Sequence, residues 1–154
     1  ERGVVFDANL PARGLAEIDS MRIEQAVLIL IDNSGKYSPP GTPVTLWAAI
    51  QGGVLVIEVS DRGAGIPAAE LPHVFERFYR VDKVRSRRQG GSGLGLAIAK
   101  SIVEAHGGTI AAASILGQGT TMRILLPCLR TASPVAERRA NPVYALSPRR
   151  PSNN

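Results

Sequence analysis

Two pairs of β-rich segments, each folded back on itself through glycine, constrain this chain more than any other feature. Val44–Ile50 and Val54–Val59 flank Gly52-Gly53, and Thr109–Ser114 and Thr120–Leu126 flank Gly117-Gln118-Gly119. Short Gly-rich connections of this kind read as hairpins, so four strands are expected to pair antiparallel. Val4–Phe6 and Leu15–Ile18 are two further short extended candidates. Helical patterns are interspersed. Asp19 or Ser20 can cap a helix running to about Lys36, with Ile23, Val27, Leu30 and Ile31 on its buried side, and Ser38-Pro39-Pro40-Gly41 ends it. A second helix runs from about Leu94 to Ala105 and stops at Gly107-Gly108. The expected fold is α/β in the α+β sense: a two-layer sandwich of a mixed sheet with helices on one face.

Composition limits the remaining possibilities. The chain has 154 residues, of which 44% are hydrophobic, enough for one packed domain and a short appendage. The longest apolar run, Ala26 to Ile31, is six residues, far short of the ~20 that span a bilayer. A lone Cys128 excludes an internal disulfide framework and a multi-cysteine zinc site, and two histidines, His73 and His106, argue against a histidine-rich metal centre. The net charge is +5, but it is unevenly placed. Residues 131–154 hold Arg138, Arg139, Arg149 and Arg150 against Glu137, together with four prolines and no periodic apolar pattern. The expected division is therefore a folded unit over 1–130 and a flexible basic Pro/Arg-rich tail over 131–154. A nucleic-acid role is disfavoured, because the excess charge sits in this tail and in one internal segment.

Two glycine clusters carry the chemistry. Asp61-Arg62-Gly63-Ala64-Gly65-Ile66-Pro67 follows a strand, and Gly90-Gly91-Ser92-Gly93-Leu94-Gly95-Leu96 precedes a helix. A Gly-rich turn feeding a helix start offers unpaired N–H groups and the positive end of the helix dipole, which suits phosphate. The second cluster lacks the Gly-Lys-Ser/Thr of a Walker loop and the glycine spacing of a Rossmann turn. Asn33, Lys36 and Tyr37 lie within one turn at the end of the first helix. An Asn carbonyl suits Mg²⁺, which keeps several waters and takes its other oxygens from phosphates, and Lys36 would answer phosphate charge. The plain alternative is that both residues only help to end the helix.

Taken together and in order, Asn33-Ser34-Gly35-Lys36-Tyr37-Ser38, Asp61-Arg62-Gly63-Ala64-Gly65-Ile66, Phe75-Glu76-Arg77-Phe78-Tyr79-Arg80 and Gly91-Ser92-Gly93-Leu94-Gly95-Leu96 resemble the N, G1, F and G2 boxes of the catalytic ATP-binding domain of bacterial sensor histidine kinases. Gly107-Gly108-Thr109 and Gly117-Gln118-Gly119-Thr120-Thr121 resemble the family's closing hairpin, so the likeness covers about residues 3–128. The resemblance implies the GHKL (Bergerat) fold, with ATP held between helices and a flexible lid over Phe75–Gly90, rich in Arg80, Lys83, Arg85, Arg87 and Arg88. It implies that Asp61 accepts a hydrogen bond from the adenine amino group. Gly63 and Gly65 would let the backbone approach the base, and Ile66 and Thr120 would also contact ATP. Asn33 would hold Mg²⁺, and Lys36, Tyr37 and Arg80 would face the phosphates. Gly91, Ser92, Gly93, Leu94, Gly95 and Leu96 would form the phosphate turn, with Asn33 and Lys36 taking part in the transfer itself.

The same resemblance makes two departures visible. The N box usually carries another Asn one turn before Asn33, and here that position is Ile29, on the same helix face as residues 33 and 37. Weak hydrolysis and weaker Mg²⁺ binding are expected. No helical hairpin bearing a phosphoacceptor histidine is visible, and His73 and His106 read as structural, so the acceptor is expected on a dimerisation domain or on a separate partner chain. A response regulator would follow indirectly, in a cytoplasmic two-component signalling system, with no membrane contact by this segment. Two other readings keep the fold: a non-catalytic nucleotide-binding interaction module, and an anti-sigma-type serine kinase.

Overall fold

The computed structural model describes residues 4–6, 18–81 and 92–128. Five strands form one sheet: β1 (Val4–Phe6), β2 (Val44–Gln51), β3 (Val54–Ser60), β4 (Thr109–Ile115) and β5 (Gly119–Pro127). Their spatial order is β1-β2-β3-β5-β4, with β1 parallel to β2 and all other neighbours antiparallel. Both hairpins expected from glycine are present. The chain between them, after β3 and before β4, carries the irregular segment, a short 3-10 helix at Leu71–His73 and a helix.

Two α-helices, α1 (Ser20–Tyr37) and α2 (Gly95–Ala105), cover one face of the sheet. The alternation of β5 explains which face. Met122, Ile124 and Leu126 are buried, whereas Arg123 and Leu125 between them are exposed. The buried set meets Val59 and Ile57 of β3, Leu30, Ala26 and Ile23 of α1, and Val103 and Ala99 of α2 in one core. Ser34 of α1 is only 2% exposed, so this helix position takes nothing larger than a small side chain.

The helix ends are tied to each other. The Asp19 carboxylate accepts from the Met21 and Arg22 amides at 3.0 and 3.2 Å, a cap that contributes about 1 kcal/mol. The Asp19 amide donates to His106 Nε2 at 3.1 Å. An amide can only donate, so Nε2 is the accepting nitrogen and Nδ1 carries the proton that meets the Ile102 carbonyl at 2.7 Å. His106 thus joins the start of α1 to the end of α2, the structural role its position before Gly107 suggests. Ile18 lies outside any strand; the remainder of the extended segment expected at 15–18 falls outside the described residues, as do the tail at 131–154 and most of the lid. No helix among the described residues is long and apolar enough to cross a membrane.

Candidate nucleotide site

Asp61 stands one residue past β3, where the strand hands the chain to the glycine loop. Its Oδ1 accepts two amides, Gly63 N at 2.8 Å and Thr120 N at 3.2 Å. Its own amide donates to the Thr120 carbonyl at 2.9 Å. The carboxylate is therefore fixed by backbone on one oxygen, while Oδ2 has no hydrogen bond among the described residues. An acceptor held this way needs no reorganisation to receive a donor.

The closing hairpin is strapped across this loop. Gly117 N donates to the Ala64 carbonyl at 2.7 Å, and Ile66 N donates to Ser114 Oγ at 2.8 Å. Gly65 lies under the Ile115 carbonyl, where any Cβ would overlap it. On the other side, the Tyr37 carbonyl accepts from Ala64 N at 3.3 Å, which brings the end of α1 against the same loop.

The far end of the site is the start of α2. Ile29 Cγ2 would lie 3.2 Å from a Cβ at Gly95. Residues 29, 33 and 37 share one face of α1. That face thus runs from the α2 start at Ile29 to the Asp61 loop at Tyr37, about 12 Å along the axis. Asn33 lies between the two ends, and its carboxamide makes no hydrogen bond among the described residues. The α2 N-cap is Leu94, which supplies no side-chain cap, so the first amides of the helix are left for another acceptor. Among the described residues, Ser92 Oγ accepts only from Leu94 N, at 3.3 Å.

Several expected residues therefore converge: Asp61, Gly63, Gly65, Ile66 and Thr120 at one end, Asn33 and Tyr37 along α1, and Ser92, Gly93, Leu94, Gly95 and Leu96 at the other. Gly91 lies outside the described residues. The Lys36 ammonium is paired with Asp32 Oδ2 at 2.5 Å, one turn back on α1. Among the described residues, Arg80 Nη2 and Ser38 Oγ are buried with no hydrogen-bond partner. Buried polar atoms are normally satisfied, so both positions could take a bond from a ligand. In the sequence Ser38 reads as a helix stop before Pro39 and as the end of the first box, not as a ligand contact.

The segment leading to the lid is tightly held. Phe78 has φ +64°, a left-handed conformation costing a bulky residue about 1–3 kcal/mol, and its amide donates to the Gly93 carbonyl at 2.9 Å. Its ring is 71% exposed beside a groove of about 400 Å³ lined by Arg22, Leu94, Ile98, Ile102 and His106. That groove shares Leu94 with the site but reaches neither Asp61 nor Asn33. Tyr79 OH donates to Glu70 Oε2, and the Tyr79 ring lies 5.4 Å from that of His73, which itself meets Glu76 at 2.7 Å. The hydrogen bond to Glu70 raises the Tyr79 pKa above its ordinary 10.0, with desolvation and the charges of Glu70 and Glu76 adding to it. The sign follows from linkage: the neutral phenol is the form the fold favours, so this contribution is complete below about pH 10 and fades as pH rises through the folded value. Glu70→Ala is expected to move the Tyr79 midpoint down towards 10, read as the tyrosinate absorbance that Tyr79→Phe removes.

A family model described as histidine kinase-, DNA gyrase B-, and HSP90-like ATPase matches residues 18–130. The chain belongs to this family. It is 51% identical over 130 residues to the sensor histidine kinase WalK of Bacillus subtilis (strain 168), covering 82% of this chain and 21% of WalK. The chain thus spans about a fifth of that relative's length. Among solved structures it is similar to the mycobacterial sensor histidine kinase MprB, at 35% identity and TM-score 0.68, covering 81% of this chain and 82% of that one. It is also similar to full-length ShkA in complex with AMPPNP, at 30% identity and TM-score 0.66, covering 86% of this chain and 27% of ShkA. This histidine-kinase-type ATPase domain has the mixed sheet and two helices that its boxes led one to expect.

Proposed function

We propose that this domain binds ATP and delivers its γ-phosphoryl group to a histidine on a dimerisation/phosphoacceptor domain or a partner chain, upstream of a response regulator. The observation that carries the reading is the Asp61 carboxylate, locked on one oxygen and open on the other beside the glycine loop. The adenine amino group is the matching donor. The uncapped α2 start, with Ser92, Gly93, Leu94, Gly95 and Leu96, lies at the other end of the α1 face and suits phosphate oxygens. Arg80 and, once released from Asp32, Lys36 supply positive charge there. In the transfer an imidazole nitrogen of the acceptor bonds to the γ-phosphorus as the bond to the β–γ bridging oxygen breaks, and ADP leaves. Positioning and charge neutralisation carry most of this chemistry.

The residues present fit Mg²⁺. Asn33 offers one unengaged carbonyl oxygen on the face between base loop and phosphate turn, which matches an ion that takes few protein ligands beside phosphates and water. Bound there, Mg²⁺ would neutralise phosphate charge. Neither His73 nor His106 suits the acceptor role, since each imidazole is engaged locally. The exposed Phe78 beside the α2 groove supports docking of the acceptor's helices on that side.

Titration with a fluorescent ATP analogue, followed by transfer from labelled ATP to a His-bearing helical hairpin supplied in trans, tests this reading. Saturable binding and a phosphohistidine are expected; binding without any transfer would favour a nucleotide-gated interaction module, and phosphoserine on a partner would favour a serine kinase. Ile29 packs against Gly95 where a polar contact to metal or phosphate is expected. Ile29→Asn should tighten ATP binding about three- to tenfold with Mg²⁺ and leave it unchanged with chelator, the gain of one hydrogen bond. An equal change in both conditions would remove Ile29 as the cause of weak metal binding.

A further inference from the structure

The helices cover one face of the sheet. On the opposite face the strand registers line up four residues in one row: Trp47 of β2, Glu58 of β3, Arg123 of β5 and Ala111 of β4. We infer that a second copy of this chain docks on that face, sheet against sheet, about a two-fold axis that runs along the strands between Glu58 and Arg123. This face is turned away from α1 and Asn33, so the docking stands apart from the nucleotide assignment.

Register decides the geometry. Residues directly opposed on antiparallel strands point to the same side of a sheet, so the row is a real line of side chains. A two-fold axis along the strands lays each row against its own reverse. Trp47 of one copy then lies over Ala111 of the other, and Glu58 lies over Arg123. The bulkiest side chain of the row meets the smallest, and each charge meets its opposite. In the next row Val56 is opposed to Leu125, so one copy sets apolar on apolar there as well. An axis across the strands would instead put Trp47 on Trp47 and Glu58 on Glu58. Twist rotates packed sheets by about 30°, so the match is closest at the centre, where the ion pair sits.

The polar groups of this face are already matched to one another. Arg123 Nε donates to Glu58 Oε1 at 2.6 Å, and the Ser60 and Thr121 hydroxyls lie 2.9 Å apart. Covering the face therefore strands few donors or acceptors, and the remaining N–H groups of Arg123 can reach the Glu58 of the second copy. The area sets the strength. Four strands at ~4.8 Å spacing and about six residues at ~3.4 Å give about 400 Å² in projection, roughly half of what each partner buries in a standard stable interface. The expected association is weak and reversible, with a dissociation constant of about 10–500 µM.

Trp47 is the only tryptophan of the chain, so its emission reads the contact directly. Sedimentation velocity and Trp47 fluorescence are followed from about 5 µM to about 1 mM protein, a range that brackets the expected constant. Monomer should pass to dimer while the emission moves to shorter wavelength over the same concentrations. Arg123→Glu alone and Glu58→Arg alone each set like charges against each other across the axis and should weaken association at least about tenfold. Mixed in equal amounts, the two variants should associate again, because every facing pair is then opposite in sign. Ala111→Arg fills the place that faces Trp47 and should leave a monomer. Arg123 and Ala111 are exposed, so their variants keep the test open even if Glu58→Arg unfolds, and a melt of each variant reads that. A monomer throughout, a dimer that leaves the Trp47 emission unmoved, unchanged association in Ala111→Arg, or a mixture of two folded charge variants that stays monomeric overturns the inference. Short-wavelength emission that does not vary with concentration overturns it too, since the chain's own remaining residues would then cover the face.

Discussion

Asp61→Asn is expected to remove detectable nucleotide binding while the thermal transition stays within a few degrees of the parent. The fold is spared because the Asn carbonyl oxygen can take over the two amides now held by Oδ1, from Gly63 and Thr120. The remaining position of the side chain then becomes an NH₂ group, which faces the adenine amino group donor to donor. The interaction lost is a charge-assisted bond of about 1.5–3 kcal/mol, tenfold to more than a hundredfold in affinity, and the repulsion adds to it. Titration with a fluorescent ATP analogue, alongside a melt, reads both halves. Unchanged affinity would show that the carboxylate does not meet the base.

Gly119→Ala should be the most damaging single methyl in the site. Gly119 has φ +113°, a conformation essentially closed to residues with a Cβ, and that Cβ would overlap the Asp61 carbonyl oxygen. Neither atom can yield without moving the β5 start or the base loop. We expect a loss of about 3 kcal/mol or more, a fall in Tm of at least about 10 °C, and loss of nucleotide binding with it. Gly117→Ala is the control. Two residues earlier in the same turn, Gly117 has φ +79° with open space around it, so its variant bears only the backbone strain. Similar losses for the two variants would mean that the contact with Asp61 is unimportant.

Local chemistry made most of this structure legible in the sequence. The two glycine hairpins, the Asp19 cap and the Gly107-Gly108 stop each act within a few residues, and each appears within a residue or two of its expected place. What was not legible depends on distant partners. That β5 inserts between β3 and β4, and that β1 adds in parallel beside β2, is settled by long-range pairing. The left-handed backbone of Phe78, whose amide bonds to the distant Gly93, was not legible either. The pairing of Lys36 with Asp32, four residues before it, is the ordinary helical ion pair of that spacing. Ser114 carried no signal beyond being polar on an inward-facing strand position, and its bonds exist only once the fold brings Ile66 and Gly119 beside it.

The base loop is laced to the closing hairpin through both backbone and hydroxyl groups, whereas Gly93 is tied to the preceding segment through the Phe78 amide. Under the proposed assignment the nucleoside end would be the more heavily cross-bonded of the two, and the phosphate end would lean on the backbone bond from Phe78 to Gly93.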